Sequence, residues 1–187
     1  MSGKTSSREG ILTAAESVAL KHGAAHLTLD AVAKEAGVSK GGLLYHFRSK
    51  EALLEGMIAH RIDQCVADRQ QAELRFPHDK AALLKAIVEA GLDDDDPSRR
   101  LNAAVLAATV NSPQLLGPVK DHNKKLFKEL SLFSSFERAC VVVLAVHGLW
   151  LMETLQTSPL TKRQRSQIIE ELFSLAETAA SSSVSKK

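Results

Sequence analysis

The chain has 187 residues, of which 44% are hydrophobic and 25% charged, with a formal net charge of +2. This length allows one or two domains with a real core, and the small charge leaves a nucleic-acid partner to be argued from local sequence. Aromatic residues make up only 4% of the chain, and alanine and leucine are abundant. This composition argues against a protein rich in β-sheet and favours helices.

Four helices are predicted in the first part of the chain, where apolar residues recur three and four positions apart. The second and third are very short. Each of the last three begins at a hydroxyl-bearing residue, and the candidate N-caps are Thr28, Ser39 and Ser49. The four helices are expected to end at a glycine, at a proline or before a turn. These positions are Gly23, Gly37, Phe47 and Pro77.

Five more helices are predicted, at about His78–Ala90, Pro97–Val110, Pro113–Leu132, Phe136–Leu155 and Thr161–Ala180. Pro118 is expected to bend or split the seventh helix. The acidic run Asp93–Asp96 is interpreted as an exposed loop in which Asp96 caps the sixth helix, with a divalent-cation site as the alternative.

The N-terminal MSGKTSSREG lacks the apolar core of a secretory signal, and the apolar run around His147 is too short to span a bilayer. We therefore expect a soluble cytoplasmic protein without a membrane partner. Cys65 and Cys140 both stand among apolar residues and are interpreted as structural thiols, with a redox pair or metal site as the alternative.

Residues 28–50 combine two short helices with a tight glycine-containing turn, which is the pattern of a helix-turn-helix. The second helix contains Gly41 and Gly42, although a helical glycine costs about 1 kcal/mol relative to alanine. We interpret this pair as a place where the backbone approaches a DNA groove. The stretch from Ser39 to Lys50 contains cations and no acidic residue, and an ordinary solvated connector is the alternative.

The stretch LTLDAVAKEAGVSKGGLLYHFRSKEALL, residues 27–54, closely resembles the N-terminal DNA-binding domain of the TetR family of bacterial transcriptional regulators. The features that carry the resemblance are Thr28 at the start of the second helix, AGVSKG at the turn, YHF, and SKEALL at the start of the fourth helix. The pattern covers roughly Arg8 to Ala59. The rest of the chain matches only in helical character and length.

The resemblance implies which residues contact DNA. Phosphate contacts are implied for Thr28, Ser39, Tyr45, His46 and Lys50. Contacts to base edges are implied for Lys40, Gly41, Gly42 and Leu44. A lysine at this place favours guanine O6 and N7. Because many members have a tyrosine where this chain has Leu44, which favours a thymine methyl group, the operator cannot be copied from relatives.

The resemblance also implies an all-α fold of about nine helices: a helix-turn-helix domain over residues 1–50, an effector-binding and dimerisation bundle over 51–182, and a disordered tail over 183–187. The expected function is a ligand-responsive repressor that binds a palindromic operator as a homodimer and is released by a small apolar effector. The alternative is a helical small-molecule carrier without DNA binding. The direction of the effector's action is left open.

The last two predicted helices suggest a dimer interface, with intramolecular core as the alternative, because Val141–Leu155 is apolar nearly all round and must be covered on more than one side. The candidate interface residues on the last helix are Ile169, Leu172, Phe173 and Ala176. Candidate residues of a ligand pocket, for which ordinary packing is the alternative, are Met57, Phe127, His147 and Trp150. We find no phosphate-binding glycine loop, HExxH, CxxC or GxSxG motif, so neither an enzyme nor a cofactor or metal is expected.

Overall fold

The computed structural model describes residues 8–23, 26–93, 102–103 and 112–181, which hold eight α-helices and no strand. This confirms the predicted all-α class. The helices are α1 (Arg8–His22), α2 (Leu29–Ala36), α3 (Lys40–His46), α4 (Lys50–Glu73), α5 (Ala82–Gly91), α6 (Gly117–Leu130), α7 (Phe136–Thr154) and α8 (Lys162–Ser181). Most of the predicted helix Pro97–Val110, most of the acidic run and the tail lie outside the described residues.

The chain divides into two compact units, one comprising residues 1–62 and 97–121 and the other residues 63–96 and 122–187. The first unit extends beyond the predicted domain boundary at residue 50. The reason is that the first turns of α4 contribute to its core, where Leu53 and Met57 are fully buried. Among the described residues, no helix combines the length and the apolar character needed to cross a membrane.

Among the described residues, most of the core of the first unit comes from one face each of α1 to α4. The predicted face of α1 is confirmed, because its four residues are buried: Ile11, Ala14, Ala15 and Val18. Gly56 of α4 lies so close to Phe47 that an added Cβ would be 2.6 Å from Phe47 Cε1. The guanidinium of Arg8 covers the Phe47 ring at 5.2 Å. Only a glycine therefore fits where α4 crosses this ring.

A short 3₁₀ turn at Pro113–Leu116 precedes α6, and its Leu115 is buried in the core of the first unit. The predicted seventh helix is thus split near Pro118, as expected from the missing N–H of proline. Helix α5 begins at Ala82, four residues later than predicted. His78 has a φ of 65°, and the Asp79 carboxylate accepts a hydrogen bond from the Ala81 N–H at 2.8 Å, so this segment is a turn.

The core of the second unit is formed mainly by α5, α7 and α8, with α6 packed against them. One charged group connects three of these elements. Arg165 of α8 donates to Glu153 of α7, with 2.6 Å between Nε and Oε1, and to the Leu92 carbonyl after α5 at 2.8 Å. The side chains of Arg165 and Glu153 are only 16% and 11% exposed, so a charge-assisted pair fixes these helix ends.

Two interpretations change once burial is known, that of Cys65 and that of the apolar stripe on α8. Cys65 is exposed, because it lies on α4 beyond the core of the first unit. Leu172 and Ala176, predicted at the dimer interface, are 3% and 0% exposed and belong to the core of the second unit. Ile169 and Phe173 are partly buried and pack against the same core. The stripe on α8 is thus mainly intramolecular, since its neighbours α5 and α7 cover it.

Candidate DNA interface

Helix α2 begins and ends as the sequence predicts. The Thr28 hydroxyl accepts a hydrogen bond from the Ala31 N–H at 3.2 Å, which caps the first turn. Gly37 ends the helix with a left-handed φ of 68°, a conformation that favours glycine. The Val38 N–H then donates to the Ala33 carbonyl at 3.0 Å, and this closes the turn between α2 and α3.

Helix α3 is held by its inner face and leaves its other side open. Ser39 caps it by accepting from the Gly42 N–H at 3.0 Å, and Leu43 and Phe47 are buried in the core of the first unit. Tyr45 is 84% exposed, and its ring meets the His46 ring edge-on at a centroid distance of 5.1 Å. The outer side therefore presents the polar ends of two aromatic rings.

The two glycines of α3 have different surroundings. A Cβ added at Gly41 would have only Ser39 Oγ nearby, at 3.9 Å. A Cβ added at Gly42 would lie 3.3 Å from the same oxygen, which is tight. The packing of the described residues therefore leaves room for a side chain at Gly41, and none of their contacts explains a glycine there.

The first turn of α4 already holds a carboxylate. The Ser49 hydroxyl accepts from the Ala52 N–H at 3.1 Å, so this cap is as predicted. The pKa of Glu51 is lowered first by a hydrogen bond from its own backbone N–H and then by one from Ser49. The sequence reasoning considered Lys50 at this positive helix end and missed Glu51, which is the next residue and competes for the same amides.

An ion pair joins the two helices of the motif on their outer side. Lys40 Nζ, in the first turn of α3, lies 3.0 Å from Asp30 Oδ1 and 3.2 Å from Oδ2. The two side chains are 60% and 71% exposed. The sequence reasoning missed Asp30 because it looked for acids only between Ser39 and Lys50, whereas Asp30 lies in the first turn of α2.

The four candidate pocket residues do not share one environment. Met57 is fully buried in the core of the first unit, whereas the other three belong to the second. Phe127 and Trp150 are partly buried and pack against its core. His147 keeps an exposed side, yet partial burial of its imidazole lowers its pKa, and the nearby His122 lowers it further.

Two family models match the chain. The one described as bacterial regulatory proteins, tetR family, matches residues 11–57, which carry the helix-turn-helix. The one described as tetracyclin repressor-like, C-terminal domain, matches residues 81–177, just over half of the chain. The chain belongs to the TetR family. It is therefore a DNA-binding transcriptional regulator and not an enzyme.

Curated TetR-type relatives are similar over most of their length. The HTH-type transcriptional regulator BetI of Yersinia pestis (strain Pestoides F) is 28% identical over 156 residues, covering 74% of this chain and 76% of BetI. BetI of Burkholderia cenocepacia (strain HI2424) is 24% identical over 159 residues, covering 79% of this chain and 82% of that protein.

Solved structures share the fold of this TetR-family chain. A transcriptional regulator from Rhodococcus sp. Rha1 has a TM-score of 0.74 and 22% identity, covering 95% of this chain and 99% of that one. The multidrug binding protein EbrR, complexed with imidazole, has a TM-score of 0.67 and 21% identity, covering 88% of this chain and 93% of EbrR.

Proposed function

We propose that this TetR-family protein is a repressor that binds a palindromic operator as a homodimer and is released by a small-molecule effector. The observation that carries the proposal is the outer side of α3. There, an open backbone at Gly41 stands beside the Lys40 cation, the exposed ring of Tyr45 and the half-buried ring of His46, while the inner side is fixed to the core. In helix-turn-helix proteins the second helix lies in the major groove, with its N-terminal residues at the base edges, and the open side of α3 suits this placement.

The proposed phosphate contacts depend on the N–H and O–H protons that the side chains on this surface can donate. Thr28 and Ser39 accept backbone amides through a lone pair, so their hydroxyl protons remain available for phosphate oxygens. Tyr45, His46 and Lys50 supply further donors to phosphates. Base edges are assigned to the residues of the outward face of α3, which are Lys40, Gly41, Gly42 and Leu44.

A homodimer is supported by an apolar face of α7 that the chain itself leaves exposed. Its exposed apolar residues recur at one to two helical turns and are Val141, Leu144, Leu151 and Met152 of α7, followed by Leu155 just after the helix. Ile168 of α8 is exposed as well. Monomeric proteins rarely leave such a continuous face in water, and a second copy doubles the number of base pairs that are read. We therefore move the proposed interface from the buried stripe of α8 to this face.

A small, largely apolar effector is supported by the aromatic residues of the second unit. Phe127 and Trp150 are only partly buried, so part of each ring is available to a ligand. The similar protein EbrR is described as multidrug binding and has been solved with malachite green. Met57, fully buried in the first unit, is no longer proposed.

The proposal is tested by selecting bound sequences from random double-stranded DNA with the full chain at low salt. We expect an enriched palindrome whose half-sites are centred about one helical turn, or a multiple of it, apart. Binding should weaken steeply as salt is raised. Absence of any enrichment would favour the carrier alternative, and a motif without symmetry would contradict the dimer.

Effector release is tested by titrating a panel of apolar and amphipathic dyes, malachite green among them, with and without the selected operator. A dye that releases DNA must bind the DNA-bound protein more weakly, because the coupling free energy is reciprocal. Equal affinities in the two titrations would contradict allosteric release. Tighter binding in the presence of operator would make the dye a corepressor.

A further inference from the structure

The carboxylate of Asp30 is unexpected on a surface that binds a polyanion. It lies on the outer side of the helix-turn-helix, 3.0 Å from Lys40 Nζ, and both side chains are more than half exposed. An exposed ion pair contributes little to stability, about 0–1 kcal/mol, so the fold does not need this pair. A carboxylate there also repels phosphates, which lowers affinity for DNA of any sequence.

The pair has a definite geometric effect on the recognition helix. Lys40 is the first residue of α3, and its four-carbon chain otherwise allows the ammonium to reach phosphates on either side. Asp30, in the first turn of α2, restricts that freedom because both of its carboxylate oxygens lie close to the ammonium, Oδ1 at 3.0 Å and Oδ2 at 3.2 Å from Nζ. An N–H of the ammonium that points away from Asp30 is left for the guanine acceptors O6 and N7.

We propose that Asp30 is a specificity-determining residue of the DNA interface, acting as a pair with Lys40. Asp30 directs the ammonium toward a guanine edge instead of a phosphate, and its carboxylate accepts a hydrogen bond from a neighbouring cytosine N4 amino group. Where the DNA has no cytosine amino group at this position, the Asp30 carboxylate loses water on entering the groove and gains no hydrogen bond in return. The proposal rests on the placement of α3 in the major groove.

The first test repeats the selection from random DNA with Asp30→Ala and Asp30→Asn. We expect discrimination to weaken at the guanine that Lys40 reads, which a parallel selection with Lys40→Ala identifies, and additionally at a neighbouring cytosine. Affinity for unrelated DNA should rise, so that the ratio of operator affinity to non-specific affinity falls by about ten-fold. Because the pair is exposed, the melting temperature should stay unchanged, and the isosteric Asp30→Asn covers the case in which the alanine variant misfolds.

The second test measures how operator affinity depends on salt. In Asp30→Ala the released Lys40 gains a phosphate, so the slope of log K against log salt should steepen by about 0.9 per subunit. In the double variant Asp30→Ala/Lys40→Ala the added slope should disappear. Persistence of the added slope in the double variant would overturn the pairing of the two residues.

The matched control is Glu35→Ala, which removes one negative charge from the same helix. Glu35 pairs with Lys21 of α1 at 2.7 Å, so its loss should change affinity for all DNA without altering base preference. If Asp30→Ala and Glu35→Ala have the same effect on the selected sequences, Asp30 acts only through net charge and the proposal is wrong. If the unaltered chain selects no sequence at all, the proposed function itself has failed.

Discussion

The two neighbouring glycines of α3 pose a question that single substitutions answer. We predict that Gly41→Ala raises the free energy of unfolding by up to about 1 kcal/mol, because alanine favours helix and its Cβ has space. Operator binding should nevertheless weaken, since the added methyl group faces the groove. Thermal unfolding and an operator titration check the two effects. A variant that is more stable and binds as well as the parent would leave the glycine without a DNA-related cause.

The same substitution at Gly56 serves as the comparison. There the added Cβ meets the buried Phe47 ring at 2.6 Å, so Gly56→Ala should lower stability by about 1–3 kcal/mol through overpacking. Opposite signs at the two glycines would show that the packing around each one, and not helix propensity, decides the outcome. Equal gains at both positions would contradict the close contact with Phe47.

Arg165 connects the ends of the three helices α5, α7 and α8. We predict that Arg165→Ala lowers stability by about 3–5 kcal/mol, because Glu153 would remain as a buried charge without its main partner. Arg163→Ala, in the same turn of α8 and exposed, is the control and should have little effect. Chemical denaturation checks both, and similar midpoints for the two variants would contradict the role of the pair.

Helix positions could be predicted where the signal was local. The caps at Thr28, Ser39 and Ser49 depend on residues within one turn, and all three formed as expected. The ion pair of Asp30 with Lys40 and the burial of the α8 stripe depend on which helices become neighbours. Hydrophobic periodicity identifies an apolar face and leaves open whether the chain's own helices or a second chain covers it.

The exposed face of α7 determines how two copies of the chain are expected to associate. We predict that Leu144→Glu converts a dimer to a monomer, because a carboxylate at the centre of an apolar interface has no partner. Leu132→Glu, at a more exposed leucine of the turn before α7, is the control and should remain dimeric. Sedimentation equilibrium checks both. A monomeric parent protein, or a dimeric Leu144→Glu, would contradict this interface.

Stability should also depend on pH through two histidines of the second unit. Burial lowers the pKa of His122, and the charge of Arg69 lowers it further, while Glu129 opposes and Lys125 adds to this effect. The pKa of His147 is lowered by burial and by His122. Because both folded-state pKa values lie below the unfolded value of about 6.5, the unfolded chain takes up protons first as the pH falls.

We therefore predict that the stability contributed by this pair is complete above about pH 6.5 and is lost as the pH falls through the folded-state pKa values. Urea unfolding midpoints between about pH 8 and pH 5 measure the loss. The double variant His122→Gln/His147→Gln should flatten this dependence. His78→Asn, at an exposed histidine whose left-handed backbone asparagine tolerates, should leave it unchanged. A pH dependence that survives in the double variant would assign it to other groups.

The position of Leu115 in the first core affects how the protein folds while it is being synthesised. Among the described residues, positions 11–58 supply nearly all of that core, yet Leu115 also belongs to it and follows residues 63–96 of the second unit in the sequence. At about 5–20 residues per second, the ribosome needs several seconds to deliver Leu115 after Ile58. During that time the nascent helix-turn-helix exposes the apolar surface that Leu115 later covers. This surface is available to chaperones, so the unit that begins to fold first must wait for a later segment to complete its core.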